Sequence, residues 1–371
     1  MTKNAIRALL EHGQSVWQDD ISRDMLSSGF LQRQVDEVGI RGVTSNPTIF
    51  EKAISGGDAY DDQIVGFLGN GKTADEIFEA IAVADVRDAC DVLRPVFDDS
   101  NGADGFVSIE VSPDAARNPT ETRGQVRRLW DSVNRPNLMV KIPGTVEAEL
   151  VIEEMLREGK NINITLLFSI HHYEKVALAY VSALENRLAA GEPVDNMASV
   201  ASFFVSRVDT LVDKKLQAII DETNDPAQHA RISELLGKVA IANAKLAYAR
   251  FLDIFGGARF APLRAAGAKV QRPLWASTGT KNPAYSDVLY VESLVGPDTV
   301  NTMPRATIKA FLDHGTVRST LEEEVDVARQ IMKDLATAGI DIDQITGQLE
   351  DEGIASFVKS FEELLNGVEA K

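Results

Sequence analysis

The sequence predicts an α/β protein, a (β/α)8 TIM barrel with additional C-terminal helices, and three observations lead there. Eight short apolar segments alternate with helix-patterned stretches up to about residue 304, and eight parallel strands is the number that closes a barrel. Several of those segments have an apolar face and a polar face, with the polar residues gathered toward their C-terminal ends, where barrel enzymes keep their chemistry. No Gly/Ser/Pro-rich linker, low-complexity tract or internal repeat interrupts the 371 residues. The chain 1–371 is therefore expected to be a single barrel domain, with about 305–371 a helical segment packed on it.

The first strand is expected at "SVWQD" (15–19), where Trp17 and Asp19 share a face, and the second at "GIRGVTSN" (39–46), with Thr44 and Asn46 on one face. The helical run "TADEIFEAIAVADVRDACDVLRPVF" opens on Thr73 and Glu76, spaced as a capping box. In "GFVSIEV" (105–111), Val107, Ile109 and Val111 oppose Ser108 and Glu110; in "NLMVKIP" (137–143), Leu138, Val140 and Ile142 oppose Met139 and Lys141. After the helix "EAELVIEEMLREG" comes "NINITLLF" (161–168), with Ile162, Ile164, Leu166 and Phe168 opposite Asn161, Asn163 and Thr165. The helix "HHYEKVALAYVSALENRLAAG" ends in a glycine stop, and its His171–His172 doublet reads as a surface pair at the helix start. "ASVASFFV" (198–205), with Ser202 and Phe204 on one face, "PLWAST" (273–278) and "TVNTMP" (299–304) complete the eight. Beyond them, "TLEEEVDVARQIMKDLATAG" and "GIASFVKSFEELLNGV" read as two helices, the second with an apolar stripe of Ile354, Phe357, Val358, Phe361, Leu364 and Leu365 for packing on the barrel.

Composition narrows the function. Hydrophobic residues at 44% and charged residues at 25% are those of a soluble globular protein. No apolar run approaches the roughly 18 residues of a membrane span, and the polar start "MTKNAIRALLEHGQSVW" lacks the apolar core of a signal peptide. A net charge of -18 argues against a nucleic-acid partner but leaves room for an anionic small substrate, since a few cations can dominate a pocket. The single cysteine, Cys90, excludes an intramolecular disulfide framework and fits a reducing cytoplasm; its apolar, helical surroundings make it a core residue. None of the five histidines shows a metal-ligand spacing.

Lys141 is the anomaly. It interrupts an apolar strand, although lysine is among the residues least often fully buried, because desolvating an ammonium is costly. The alternation turns it into the barrel, toward Glu110, Asn163, Thr165, Asn46, Asp19 and Ser202. Desolvation favours the neutral form of an amine, and a neutral amine attacks carbonyl carbon to form an imine. Once protonated, the imine draws in electrons and stabilises a neighbouring carbanion as an enamine. Such chemistry needs a base and a water relay, for which Asp19 and Glu110 are the carboxylates at hand. The plainer reading is a buried Lys–Glu pair without chemistry, which is tolerated only with excellent geometry.

"GVTSNPT" (42–48), "VSIEVSP" (107–113), "NLMVKIPGT" (137–145), "NINITLLFS" (161–169) and "SFFVSRVD" (202–209) resemble, in the same order, the strand motifs of transaldolase. The likeness runs from about Trp17 to "TVNTMP"; the length and the extended "LWASTGTKNPAYSDVLYVESLVGPDTVNTMP" segment resemble the longer bacterial branch of that family, within the class I Schiff-base aldolase superfamily. The resemblance implies a pentose-phosphate enzyme acting on sugar phosphates with no metal or organic cofactor, the lysine itself being the electron sink. It implies that Lys141 forms the Schiff base, that Asp19 takes the proton from the C4 hydroxyl, and that Glu110 and Thr165 hold the shuttling water. Asn46, Asn163 and Ser202 would bind the dihydroxyacetone hydroxyls, with Thr44 supporting Asn46. Asp19 is preferred over Asp20 because the Trp-x-Asp pattern fits the family. Arg207 would bind phosphate. Shorter members carry an arginine soon after the seventh-strand serine, whereas this chain reads Ser277-Thr278-Gly279-Thr280-Lys281-Asn282. That duty falls to Lys281, with Ser277 as a neutral donor.

Three rival readings are weaker. "GFLGNGKT" (66–73) satisfies a phosphate-cradling pattern, but the pattern needs a strand before it, and "AYDDQIVGFL" reads as a helix. A simple fructose-6-phosphate aldolase on the same scaffold is disfavoured by length and by Phe204, where such relatives tend to carry a tyrosine. A dead scaffold is disfavoured because every expected catalytic position is filled.

Overall fold

The computed structural model of the chain describes residues 4–371; Met1–Lys3, the start of the stretch read for a signal peptide, lie outside the described residues. Eight parallel strands close in sequence order: β1 (Gln14–Gln18), β2 (Gly42–Val43), β3 (Val107–Glu110), β4 (Leu138–Pro143), β5 (Ile162–Leu167), β6 (Ser199–Phe204), β7 (Arg272–Ala276) and β8 (Thr299–Met303), with β8 pairing back onto β1. Each expected segment overlaps one of them, β1 and β7 starting one residue earlier than expected. β2 departs most, shrinking from eight expected residues to two. Gly42 passes so close to Trp17 that a Cβ would lie 2.6 Å from the indole, and three residues after Val43 the chain is already capping a helix: Asn46 accepts from the Ile49 amide at the start of Pro47–Ser55.

Parallel strands are covered on both faces. Outward, Leu138, Val140 and Ile142 join the main core against the surrounding helices. Inward, Trp17, Phe106, Met139, Val200, Leu274 and Val300 plug the lower half of the barrel, and the polar inner residues stand above that plug. One expectation fails here. Leu166 was placed on the outer face with Ile164, but β5 slips register between Ile164 and Leu167, and Leu166 sits at φ 59°. The irregularity turns Leu166 to line the upper cavity beside Thr165, and a bulky side chain at positive φ is a conformation that surrounding packing must impose.

The "GFLGNGKT" segment ends the helix Asp61–Gly69 and turns into Ala74–Asp99. A helix rather than a strand runs directly into it, as expected, so the nucleotide-binding alternative lacks its required context. The capping box is present, with the Thr73 amide donating to Glu76 and the Glu76 amide to Thr73. Cys90 is fully buried. Among the described residues, no helix is long and apolar enough to cross a membrane.

The C-terminal helices also differ from expectation. The first starts only at Val325, because Glu324 adopts a left-handed φ of 57° that a helix cannot continue through. The second starts eleven residues early, as Ile342–Glu369, and absorbs Gly347 and Gly353. Gly353 is there for close approach: a Cβ would stand 3.2 Å from Leu166. This helix crosses the C-terminal mouth of the barrel, packing on the Pro47–Ser55, Ala74–Asp99 and Ser206–Glu222 helices and on β5. Phe357 and Leu364 of its apolar stripe are buried, while Val358 faces solvent. It is moored by Thr48 to Ser360 (2.8 Å), Arg117 to Asp351 (2.5 Å) and His172 to Glu350 (3.0 Å), so of the histidine doublet His171 is the exposed surface residue expected and His172 is part of a mooring.

Candidate active site

Parallel pairing sets Glu110 of β3 beside Lys141 of β4, and Lys141 beside Asn163 of β5. The Lys141 Nζ lies 3.2 Å from Glu110 Oε2 and 3.4 Å from the Ser45 carbonyl, and Lys141 is only 8% exposed. Burial pushes the Glu110 carboxyl above the ordinary carboxylate range, with Lys141 pulling it back and Asp19 adding to the rise.

Asp19 follows β1 directly, its amide bound to the Met303 carbonyl. Its carboxylate accepts from the Thr44 hydroxyl (2.7 Å), which also meets Thr302 at 2.7 Å. Thr44 therefore supports Asp19, not Asn46 as expected from the motif. Asp20 turns away to pair with Arg305. Asn163 is fully buried one layer below the cavity: its amide donates to Ser108 (3.0 Å) and accepts from Ser202 (2.7 Å). Asn163 itself does not line the cavity, whereas Ser202 does. The Thr165 hydroxyl is buried with no hydrogen-bond partner, an arrangement that a buried polar group normally avoids.

These side chains surround a cavity of about 400 Å3. Asp19, Thr44, Asn46, Glu110, Lys141, Thr165, Ser202 and Phe204 line its depth. Arg207, Ser277 and Lys281 line it as well, with Lys281 exposed. Phe204 packs on Phe168 with ring centres 5.2 Å apart, and the Arg207 guanidinium lies over the Phe204 ring at 5.4 Å. Arg207 is half-buried, and desolvation lowers its pKa from the ordinary arginine value. The sequence reading missed Thr302, Lys52, Ser356 and Ser360, which also line the cavity. Thr302 was recoverable, since two residues on from inward Val300 it shares that face of β8; the two serines were not, because nothing local says which face of a C-terminal helix meets the mouth. Among the described residues, no group of three or more His, Cys, Asp or Glu side chains is placed to hold a metal ion.

A closed parallel barrel with an unusual buried lysine, a carboxylate and an unpartnered hydroxyl converging at its C-terminal mouth has the build of a (β/α)8-barrel enzyme. Residues 16–368 match the model of the transaldolase/fructose-6-phosphate aldolase family. The chain is 45% identical to a transaldolase of Trichodesmium erythraeum (strain IMS101) over 377 aligned residues, covering 100% of this chain and 98% of the relative. It is 47% identical to a transaldolase of Thermobifida fusca (strain YX), covering 98% and 97%, and 46% identical to transaldolase 2 of Nostoc punctiforme (strain ATCC 29133 / PCC 73102), covering 100% and 98%. The chain belongs to the transaldolase/fructose-6-phosphate aldolase family.

Proposed function

We propose that this enzyme is a transferase, a transaldolase moving a dihydroxyacetone unit from sedoheptulose 7-phosphate to glyceraldehyde 3-phosphate, giving erythrose 4-phosphate and fructose 6-phosphate. The observation that carries this reading is the Lys141 amine, 3.2 Å from Glu110 and nearly out of solvent at the barrel mouth. Lys141 attacks the ketose C2, and the resulting carbinolamine loses water to a protonated imine. Asp19, oriented by Thr44, removes the C4 hydroxyl proton. The C3–C4 bond then breaks, the aldose leaves, and the electron pair rests in an enamine. Attack of that enamine on the acceptor aldehyde and hydrolysis of the new imine complete the transfer.

Glu110, whose carboxyl burial holds above the ordinary carboxylate range and so readies to give as well as take a proton, works with the open Thr165 hydroxyl to hold the water. The Asn46 side-chain carbonyl is committed to its helix cap, which leaves its NH2 to donate to a sugar hydroxyl, while Ser202, its proton given to Asn163, is left to accept from one. Arg207, Ser277 and Lys281 take the phosphate. Phe204 against Phe168 keeps water from the enamine, which favours transfer over simple cleavage. We also take the chain as one barrel domain working in the cytoplasm, consistent with its lone buried cysteine.

Borohydride trapping tests the reading. With fructose 6-phosphate, reduction should leave a dihydroxyacetone-sized adduct on Lys141; no adduct, or one on another lysine, would sink it. Rapid release of glyceraldehyde 3-phosphate from fructose 6-phosphate without an acceptor would instead identify an aldolase.

A further inference from the structure

We propose that two tyrosine–aspartate pairs, Tyr285–Asp213 and Tyr290–Asp209, are positioning residues that hold Lys281 at the phosphate end of the cavity; the proposal rests on the reading of Lys281 as a phosphate ligand. Lys281 lies in the connection between β7 and β8, where the one helix is the short Leu289–Ser293. It is exposed, and it borders two cavities. One is the active site. The other, of about 360 Å3, is lined by Asp209, Asp213, Tyr285 and Tyr290 among others. A flexible lysine on that partition can swing to either side, and two carboxylates on the far side compete with substrate phosphate for its charge.

Both carboxylates are engaged. The Tyr285 hydroxyl donates to Asp213 at 2.8 Å and the Tyr290 hydroxyl to Asp209 at 2.9 Å. Each aspartate also accepts a backbone amide, Gly237 on Asp213 (3.0 Å) and Ala240 on Asp209 (2.7 Å). The two aspartates sit one turn apart on the Ser206–Glu222 helix, whose second residue is Arg207. The pairs therefore fasten the Lys281 segment to the element that carries the other phosphate cation. At the start of the segment, the Ser277 hydroxyl meets that of Ser206, the first residue of the same helix, at 2.9 Å. The Tyr285 ring has a built seat: Gly237 has φ +70°, and a Cβ there would lie 2.8 Å from the ring. Tyr285 is half-buried, so phenylalanine fits its place.

The test compares acceptors with and without phosphate. Tyr285→Phe should raise KM for glyceraldehyde 3-phosphate roughly tenfold, the low end for one lost hydrogen bond to a charged group, with kcat unchanged. Neither constant should change for unphosphorylated glyceraldehyde. Lys281→Met should raise the phosphorylated KM at least as far. If Lys281→Met raises it and Tyr285→Phe does not, the positioning role is overturned while the phosphate reading stands. An equal loss on both acceptors in Tyr285→Phe overturns it in favour of a merely structural tyrosine. If Lys281→Met leaves KM untouched, the phosphate reading falls and takes the proposal with it.

Discussion

At the N-terminal end of the barrel, Asp104 is buried with its carboxylate receiving the Trp17 indole N–H at 2.8 Å and the Ser15 hydroxyl, and with Arg41 and Arg272 at 3.5 and 3.8 Å. Arg272 in turn donates to Ser15, the Thr299 carbonyl and the Ala103 carbonyl. At the C-terminal end, Lys141 has one carboxylate at 3.2 Å and one carbonyl at 3.4 Å, and the Thr165 hydroxyl beside the same cavity has nothing. Both ends bury charge. The first packs two hydrogen-bond donors and two guanidinium groups around one carboxylate, whereas the second gives the Lys141 amine two longer contacts beside an open cavity. The comparison teaches that the number of partners around a charge, rather than its burial, separates charge kept for the fold from charge kept for chemistry.

The sharpest way to break that contrast is to remove one ion from each end. Lys141→Met should cut turnover by roughly ten thousandfold or more, because the covalent route is gone, while the melting temperature holds or rises, since Glu110 can take up a proton once its partner is lost. A coupled assay and a thermal melt on the same sample check both halves. Asp104→Ala should do the reverse. Stranding Arg272 and Arg41 should cost about 3–5 kcal/mol in urea unfolding, with the folded fraction retaining its kcat. A smaller effect separates burial from function at one hydroxyl: Thr165→Val keeps the shape and removes an unmet group, so stability should not fall. Imine formation, followed by quenched borohydride trapping, should slow by roughly one to two orders of magnitude if that hydroxyl holds the water.

The smallest expected effect concerns the helix over the mouth. The hydrogen bond to Glu350 raises the His172 pKa against a lowering by burial. A raised folded value means that the contact stabilises fully below the ordinary histidine value of about 6.5 and fades as pH rises through the folded value. Protection against hydrogen exchange in the Ile342–Glu369 helix, relative to the intrinsic exchange rate at each pH, should therefore fall by a small factor as pH rises through that folded value, and His172→Ala should flatten that dependence. An unchanged pH profile in the variant would remove His172 from the mooring.

Much of the site was legible because strand alternation is local. Lys141 could be turned inward, and Glu110, Thr165, Ser202 and Asp19 placed beside it, from period two alone. The method failed where backbone geometry left the period: at Leu166, where positive φ swapped a face, and at β2, where a helix cap cut the strand short. Thr44 went to Asp19 rather than Asn46 because pairing across a barrel depends on register, which no single segment contains.

By itself, then, the chain determined eight strands in order, a lysine among inward polar residues, and the helices between them, since each follows from hydrophobic period and capping chemistry within a few residues. Closure decided the rest. It brought Arg272 to Asp104, laid the last helix over the mouth by way of Gly353 and Leu166, and set Lys281 between two cavities. Those contacts join residues far apart in sequence, and their geometry exists only once the barrel has fixed the distance between them.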